Sequence, residues 1–192
     1  MAESEKIRSL REITRLSPTS EEVDTLLTEI DTHNHRAAAV LGAAFVEDAL
    51  EYAIRHRFRP LSKSALEKLF EYPGPLSSFD AKIRIGFALG LYGEIVRNDL
   101  NVIRNIRNGF AHAKKPISFD IPEVIREMKK SMYLRWKDEN KLGTYMQIVS
   151  TTPKADSLYR YWYAILTKLL AHELFVLGKT ADMRLSTVSE MP

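Results

Sequence analysis

No cysteine occurs anywhere in the 192 residues, which excludes disulfides, thiolate metal sites and a cysteine nucleophile. Glycine and proline are sparse, eight of each, and the clearest loop they mark is "PGPLSS" at 73–78. Long apolar runs are missing too. The longest, "AAAVLGAAFV" at 37–46, is about half of what a bilayer requires. The start, "MAESEKIRSL", has no apolar signal-peptide core, so a cytoplasmic location without membrane association is expected. Neither sign of charge dominates. The formal charge of +3 and pI of about 9.0 lean only slightly toward an anionic partner, and a well-solvated surface is the better account of them.

What is present describes a globular protein, 45% hydrophobic and 28% charged, long enough for a single domain over 1–192 with a substantial core. Apolar positions recur at helical spacing almost throughout. An N-terminal arm of about 1–18 precedes Thr19, which forms a capping-box pattern with Glu22. Apolar residues then recur through Val23, Leu26, Leu27 and Ile30 and on through Ala39, Ala43, Val46 and Leu50. A break near "DTHNH" is open, and "RFRP" closes this element. A short helix, "KSALEKLFEY", leads to the loop, after which Ser77 with Asp80 resembles a second capping box. A helix from about Asp99 to Ala113 follows, then one begun by Asp120 and Pro122. The segment from about 137 to 152 is irregular. A last long helix is expected to end at Gly178 as its C-terminal cap. No strand pattern and no internal repeat is evident. The fold class expected is all-α, a single bundle of about six or seven helices, with the small residues of "RAAAVLGAAF" allowing another helix to approach closely.

The stretch "IRNIRNGFAH" at 103–112 gathers a cation, an amide and an imidazole within a helical segment. At about 100° per residue and with Arg104 at zero, Val102, Ile103, Ile106 and Phe110 fall between about 160° and 260°, and Leu100 and Ala111 near 320° and 340°, a broad apolar arc. Asn101, Asn105, Asn108 and His112 form a polar stripe at about 40° to 100°. Arg107 falls near 300°, inside the apolar arc. A core-facing arginine requires partners, and "FVEDALEYA" supplies Glu47, Asp48 and Glu51 as candidates for a polar network with Arg104 and Arg107. Asn108 and His112 are four residues apart and share a face. His112 lies at a helix end, where acid–base work and a polar switch are both open to it. The same residues serve equally well to lock helices together.

Other groups carry less. Arg55, Arg57 and Arg59 in "IRHRFRP" offer a weak nucleic-acid or anion contact, or simply a solvated helix end. "HNH" at 33–35 lies in a helical run and lacks the hairpin of the nuclease motif with that spelling. His172 and Glu173 lack the second histidine of a zinc site, so no metal and no cofactor is expected. "LYRYWY" at 158–163 is aromatic enough to stack bases, but at helical spacing it suits a core or an interface.

"VLGAAFVEDALE", "GPLSSFDAKIRIGFALGLYG" and "DLNVIRNIRNGFAH" together resemble the mannitol operon repressor family of bacterial regulators, in order and spacing, over about residues 35–120. Arg107 with Asn108 and His112 also looks like the R-x(4–6)-H signature of HEPN domains, which are helical bundles. The first resemblance implies a non-enzymatic regulator acting through a protein partner or RNA. Direct sequence-specific DNA reading is not expected, since no helix-turn-helix, zinc finger or basic zipper is present. The second implies a metal-independent endoribonuclease with a composite site across a homodimer. There Arg107 would stabilise phosphate charge, His112 would transfer protons and Asn108 would orient one of them. A homo-oligomer, most simply a dimer, suits both.

Overall fold

The computed structural model describes residue 25 and residues 34–132 and 157–189. Among these residues the chain is all-helical, with six helices and no strand. They are α1 (His35–Arg55), α2 (Lys63–Phe70), α3 (Phe79–Ala88), α4 (Glu94–His112), α5 (Pro122–Met128) and α6 (Leu158–Ser189). The expected arm at 1–18, the Thr19–Glu22 capping box and the irregular segment at 137–152 lie outside the described residues.

Local chemistry sets most helix starts. The side chains of Asn34, Ser62 and Ser78 accept the backbone N–H groups of Ala37, Ala65 and Ala81, satisfying donors that a helix start leaves unpaired. Asn34 therefore makes the break near "DTHNH" real. The second cap falls on Ser78 rather than Ser77, so Asp80 sits in the first turn of α3 and is free to pair elsewhere. Pro122 opens α5, but Asp120 does not cap it. Its carboxylate instead accepts a hydrogen bond from Ser157 Oγ at 2.7 Å. The motif helix begins five residues earlier than expected, capped by the Gly93 backbone with Glu94 in its first turn, where an acidic side chain favours the helix dipole.

α1 and α6 form the main helix pair, and α1 also packs on α3 and α4. Small residues make this possible. A Cβ on Gly42 would stand 3.1 Å from the Tyr163 ring and 3.2 Å from Thr167, and one on Gly178 would overlap the Tyr52 ring. Gly178 is thus a packing residue inside α6 and not its C-terminal cap. The helix continues past it to Ser189. The alanines of α1 (Ala38, Ala39, Ala43, Ala49, Ala53) and the α6 residues Ile165, Leu166, Leu169 and Leu170 are buried in one core cluster. Phe110 of α4 joins it, with its ring 4.8 Å from Phe119, which in turn lies 5.1 Å from Tyr163.

Candidate functional site

The wheel of α4 is realised in three dimensions. Leu100, Val102, Ile103, Ile106 and Phe110 are buried, as that spacing requires. Arg107 sits half-buried at the edge of this face, and its Nη1 donates to Asn108 Oδ1 at 3.0 Å. Its charge reaches the fully buried Tyr163 hydroxyl, which donates to the Ala39 carbonyl at 2.8 Å. Burial raises the Tyr163 ionisation strongly and the Arg107 charge opposes that rise, so the phenol stays protonated and acts as a donor.

The expected pairing of Arg107 with Glu47, Asp48 or Glu51 does not occur. Among the described residues no carboxylate pairs with Arg107. The Arg107 charge acts on Tyr163, whose hydroxyl bonds to Ala39, and Glu47 stands eight residues beyond Ala39 along α1, about 12 Å at helical rise. Glu47 and Glu51 instead hold Lys82 of α3, each at 2.8 Å. Lys82 is 5% exposed. Burial alone would lower its pKa, but the charge of Glu47 and hydrogen bonds to both glutamates outweigh that and raise it. Asp48, exposed as a residue, is not in this pair. Burial of its carboxyl, countered by Lys82 and reinforced by Glu47 and Glu51, pushes its pKa up to about 6.

Arg104 also finds a different partner, Asp80 of α3, which pairs with Arg84 as well at 2.8 Å. The polar stripe of α4 is partly committed to structure. Asn105 Nδ2 donates to Glu127 of α5 at 2.8 Å, and Asn101 Nδ2 donates to the Arg97 carbonyl at 2.9 Å. Burial opposes ionisation of Glu127, but hydrogen bonds from Lys130 and Asn105 outweigh it and leave its pKa lowered. His112 is the last residue of α4 and is exposed, with no hydrogen-bond partner among the described residues. So Arg107 and Asn108 are hydrogen-bonded, and His112 lies at the same helix end with no hydrogen bond to either.

Three features around α4 went unread in the sequence. Arg36 of α1 donates to the Ala113 carbonyl at 2.8 Å and to that of Lys115 at 3.4 Å, closing off the carboxyl end of α4 with a cation. The Phe119 N–H donates to His35 Nδ1 at 3.4 Å, anchoring the loop that follows the motif. Asp99 is fully buried and accepts from Ser131 Oγ at 2.8 Å and the Met132 N–H at 2.9 Å, tying the end of α5 to α4. The wheel contained a signal for Asp99, which falls near 220°, inside the apolar arc. Lys82 had the same signal, sharing a face with Phe79, Ile83 and Gly86. Nothing in the sequence marks Arg36, because its partners are backbone carbonyls 77 and 79 residues away.

Of the remaining candidates, Arg55 pairs with Glu51 and lies 5.0 Å over the Phe70 ring. Arg57 and Arg59 are exposed and have no carboxylate partner among the described residues. In "LYRYWY" Tyr163 is a core residue and Tyr159, Tyr161 and Trp162 pack against the core. His172 is exposed, and no group of three or more metal-ligating side chains occurs among the described residues. Nor is any described helix long and apolar enough to cross a membrane.

No protein-family model matches the chain, and no curated protein does. Its architecture does match solved structures. A chain of the MtlR–HPr complex from Escherichia coli superposes with a TM-score of 0.59 at 16% identity, covering 79% of this chain and 97% of that one. A possible transcriptional regulator, YggD, from Shigella flexneri gives 0.53 at 15% identity, covering 85% and 98%. At such identities the likeness is one of fold: this chain is an all-α bundle similar in architecture to these two bacterial proteins.

Proposed function

We propose that this protein is a non-enzymatic regulator of the mannitol operon repressor type that works by binding a protein partner. One observation supports this above the rest: the bundle is similar, over nearly the full length of the other chain, to a protein crystallised with HPr. The absence of a helix-turn-helix pattern from the sequence points the same way, because regulation then has to run through contacts other than base reading. Calorimetric titration of the full chain with purified HPr tests it. Saturable binding is expected, and no heat change up to about 100 μM would remove HPr as the partner.

A second reading, a metal-independent ribonuclease, is favoured by one local feature. Arg107 is free of carboxylates among the described residues and hydrogen-bonded to Asn108, and His112 stands exposed at the same helix end. Such a cation is available to phosphate, and such an imidazole to a proton. A homodimer would have to bring two such ends together. Incubation of wild-type and His112→Ala protein with RNA in EDTA decides between the readings. Cleavage by the wild type alone establishes the ribonuclease, and silence from both leaves the regulator.

A further inference from the structure

The loop after α2 is built to hold one aromatic side chain out in solvent. Tyr72 is 89% exposed, the most open of the large hydrophobic side chains described. The backbone around it is firmly set. Gly74 N–H donates to the Glu71 carbonyl, Leu76 N–H to the Leu69 carbonyl at 2.8 Å, and Ser77 N–H to the Gly74 carbonyl at 3.1 Å. A Cβ on Gly74 would fall 2.5–2.6 Å from the carbonyl oxygens of Lys68, Leu69 and Glu71, so only glycine permits this tight return. An exposed tyrosine on a rigid loop loses little conformational freedom when a ligand covers it.

The same end of the bundle carries exposed arginines. The ends of α1 and α2 meet where the Phe58 and Phe70 rings lie 6.1 Å apart and Arg55 covers Phe70. Arg57 and Arg59, both exposed and without carboxylate partners among the described residues, flank Phe58 at this contact, and Tyr72 follows Phe70 by two residues. Glu67 and Glu71, the acidic groups nearby on α2 and its cap, are half-buried and engaged in contacts of their own. Arg55 is committed to Glu51.

From this juxtaposition we infer a binding surface for single-stranded nucleic acid, with Tyr72 stacking on a base and Arg57 and Arg59 contacting phosphates. An open aromatic face with exposed cations nearby is the pairing that flexible, unpaired strands use, since every base offers a π-face and every linkage a charge. Neither group reads a base edge or a 2′-hydroxyl, so the surface takes RNA and DNA alike and has little sequence preference. It lies away from the carboxyl end of α4 and does not depend on the regulator reading.

Fluorescence anisotropy with labelled oligothymidine and oligouridine of about twelve nucleotides tests it on the full chain. Saturation below about 100 μM at low salt is expected, similar for both probes. Tyr72→Ala should weaken binding about tenfold, and Tyr72→Trp should retain it. The Arg57→Ala, Arg59→Ala double variant should lower the slope of log Kd against log salt by about 1.4, as two lost phosphate contacts would. All three positions are exposed, so the variants keep the fold, checked by circular dichroism. Absence of saturable binding overturns the proposal. So does an unaffected Tyr72→Ala variant, or an equal loss in Lys129→Ala, which removes an exposed charge elsewhere. A Tyr72→Ala change in solution mass with oligonucleotide binding intact would assign the loop to self-association instead.

Discussion

The α1–α3 seam and the carboxyl end of α4 each contain a cation at an apolar position of a helix, and they treat it in opposite ways. In the seam, Lys82 is enclosed and both its glutamates come from one helix face, Glu47 and Glu51 lying one turn apart. At the α4 end, Arg107 has only a neighbouring amide among the described residues, and His112 has solvent. The first arrangement holds two helices in register. The second leaves charge unspent at a surface, and that is the condition for binding something. A buried ion pair is an organised structural element, while a half-buried arginine without a carboxylate remains available to an anion.

The contrast predicts a descending series of effects. Lys82→Ala leaves Glu47 without its cation and Glu51 with Arg55 alone, and should cost about 3 kcal/mol, measured by urea unfolding. A loss below about 1 kcal/mol would show that the seam is as open as the α4 end. Tyr163→Phe removes the buried hydroxyl next to Arg107 and its bond to the Ala39 carbonyl, and should cost about 1 kcal/mol by the same measurement.

The pH dependence of the seam is smaller. Asp48 has a folded pKa of about 6 against an ordinary 3.8, so the native state binds its proton more tightly than the unfolded chain. That contribution is complete below pH 4 and is lost as pH rises through about 6. With Asp48 exposed, screening limits it to about 1 kcal/mol or less. Unfolding of wild type and Asp48→Asn across this window should show a difference that changes with pH, and parallel curves would refute it. His112→Ala should change stability least, within about 0.5 kcal/mol, because nothing described leans on the imidazole. A larger drop in melting stability would give His112 a structural role and erase the contrast.

Much of the scaffold was legible. Helical spacing gave the buried faces of α1 and α4, since Ala39, Ala43, Val46 and Leu50 and then Leu100, Val102, Ile103, Ile106 and Phe110 are all buried. The boundaries were less so. Ser77 and Ser78 are equally good caps by residue type, and the backbone selected the second. Gly178 has the residue type of a helix stop, yet the Tyr52 ring occupies the space where its Cβ would be. At the candidate site the wheel put Arg107 inside the apolar arc, whereas the structure leaves it half-buried, and the wheel could not say which helix level it would meet. The carboxylates of α1 were the right kind of partner for a buried cation, but the cation they serve is Lys82.

Composition and periodicity by themselves determined that this chain is helical, free of cysteine chemistry and divided into apolar and polar faces, because those properties depend on residues within a few turns of one another. Which charges meet was decided only by tertiary structure. Helix offset along the bundle fixes whether a guanidinium faces a carboxylate or a carbonyl, and no local spacing encodes that offset. The pairing of Lys82 with Glu47 and Glu51, the Arg36 closure of α4 and the exposed setting of His112 all follow from it.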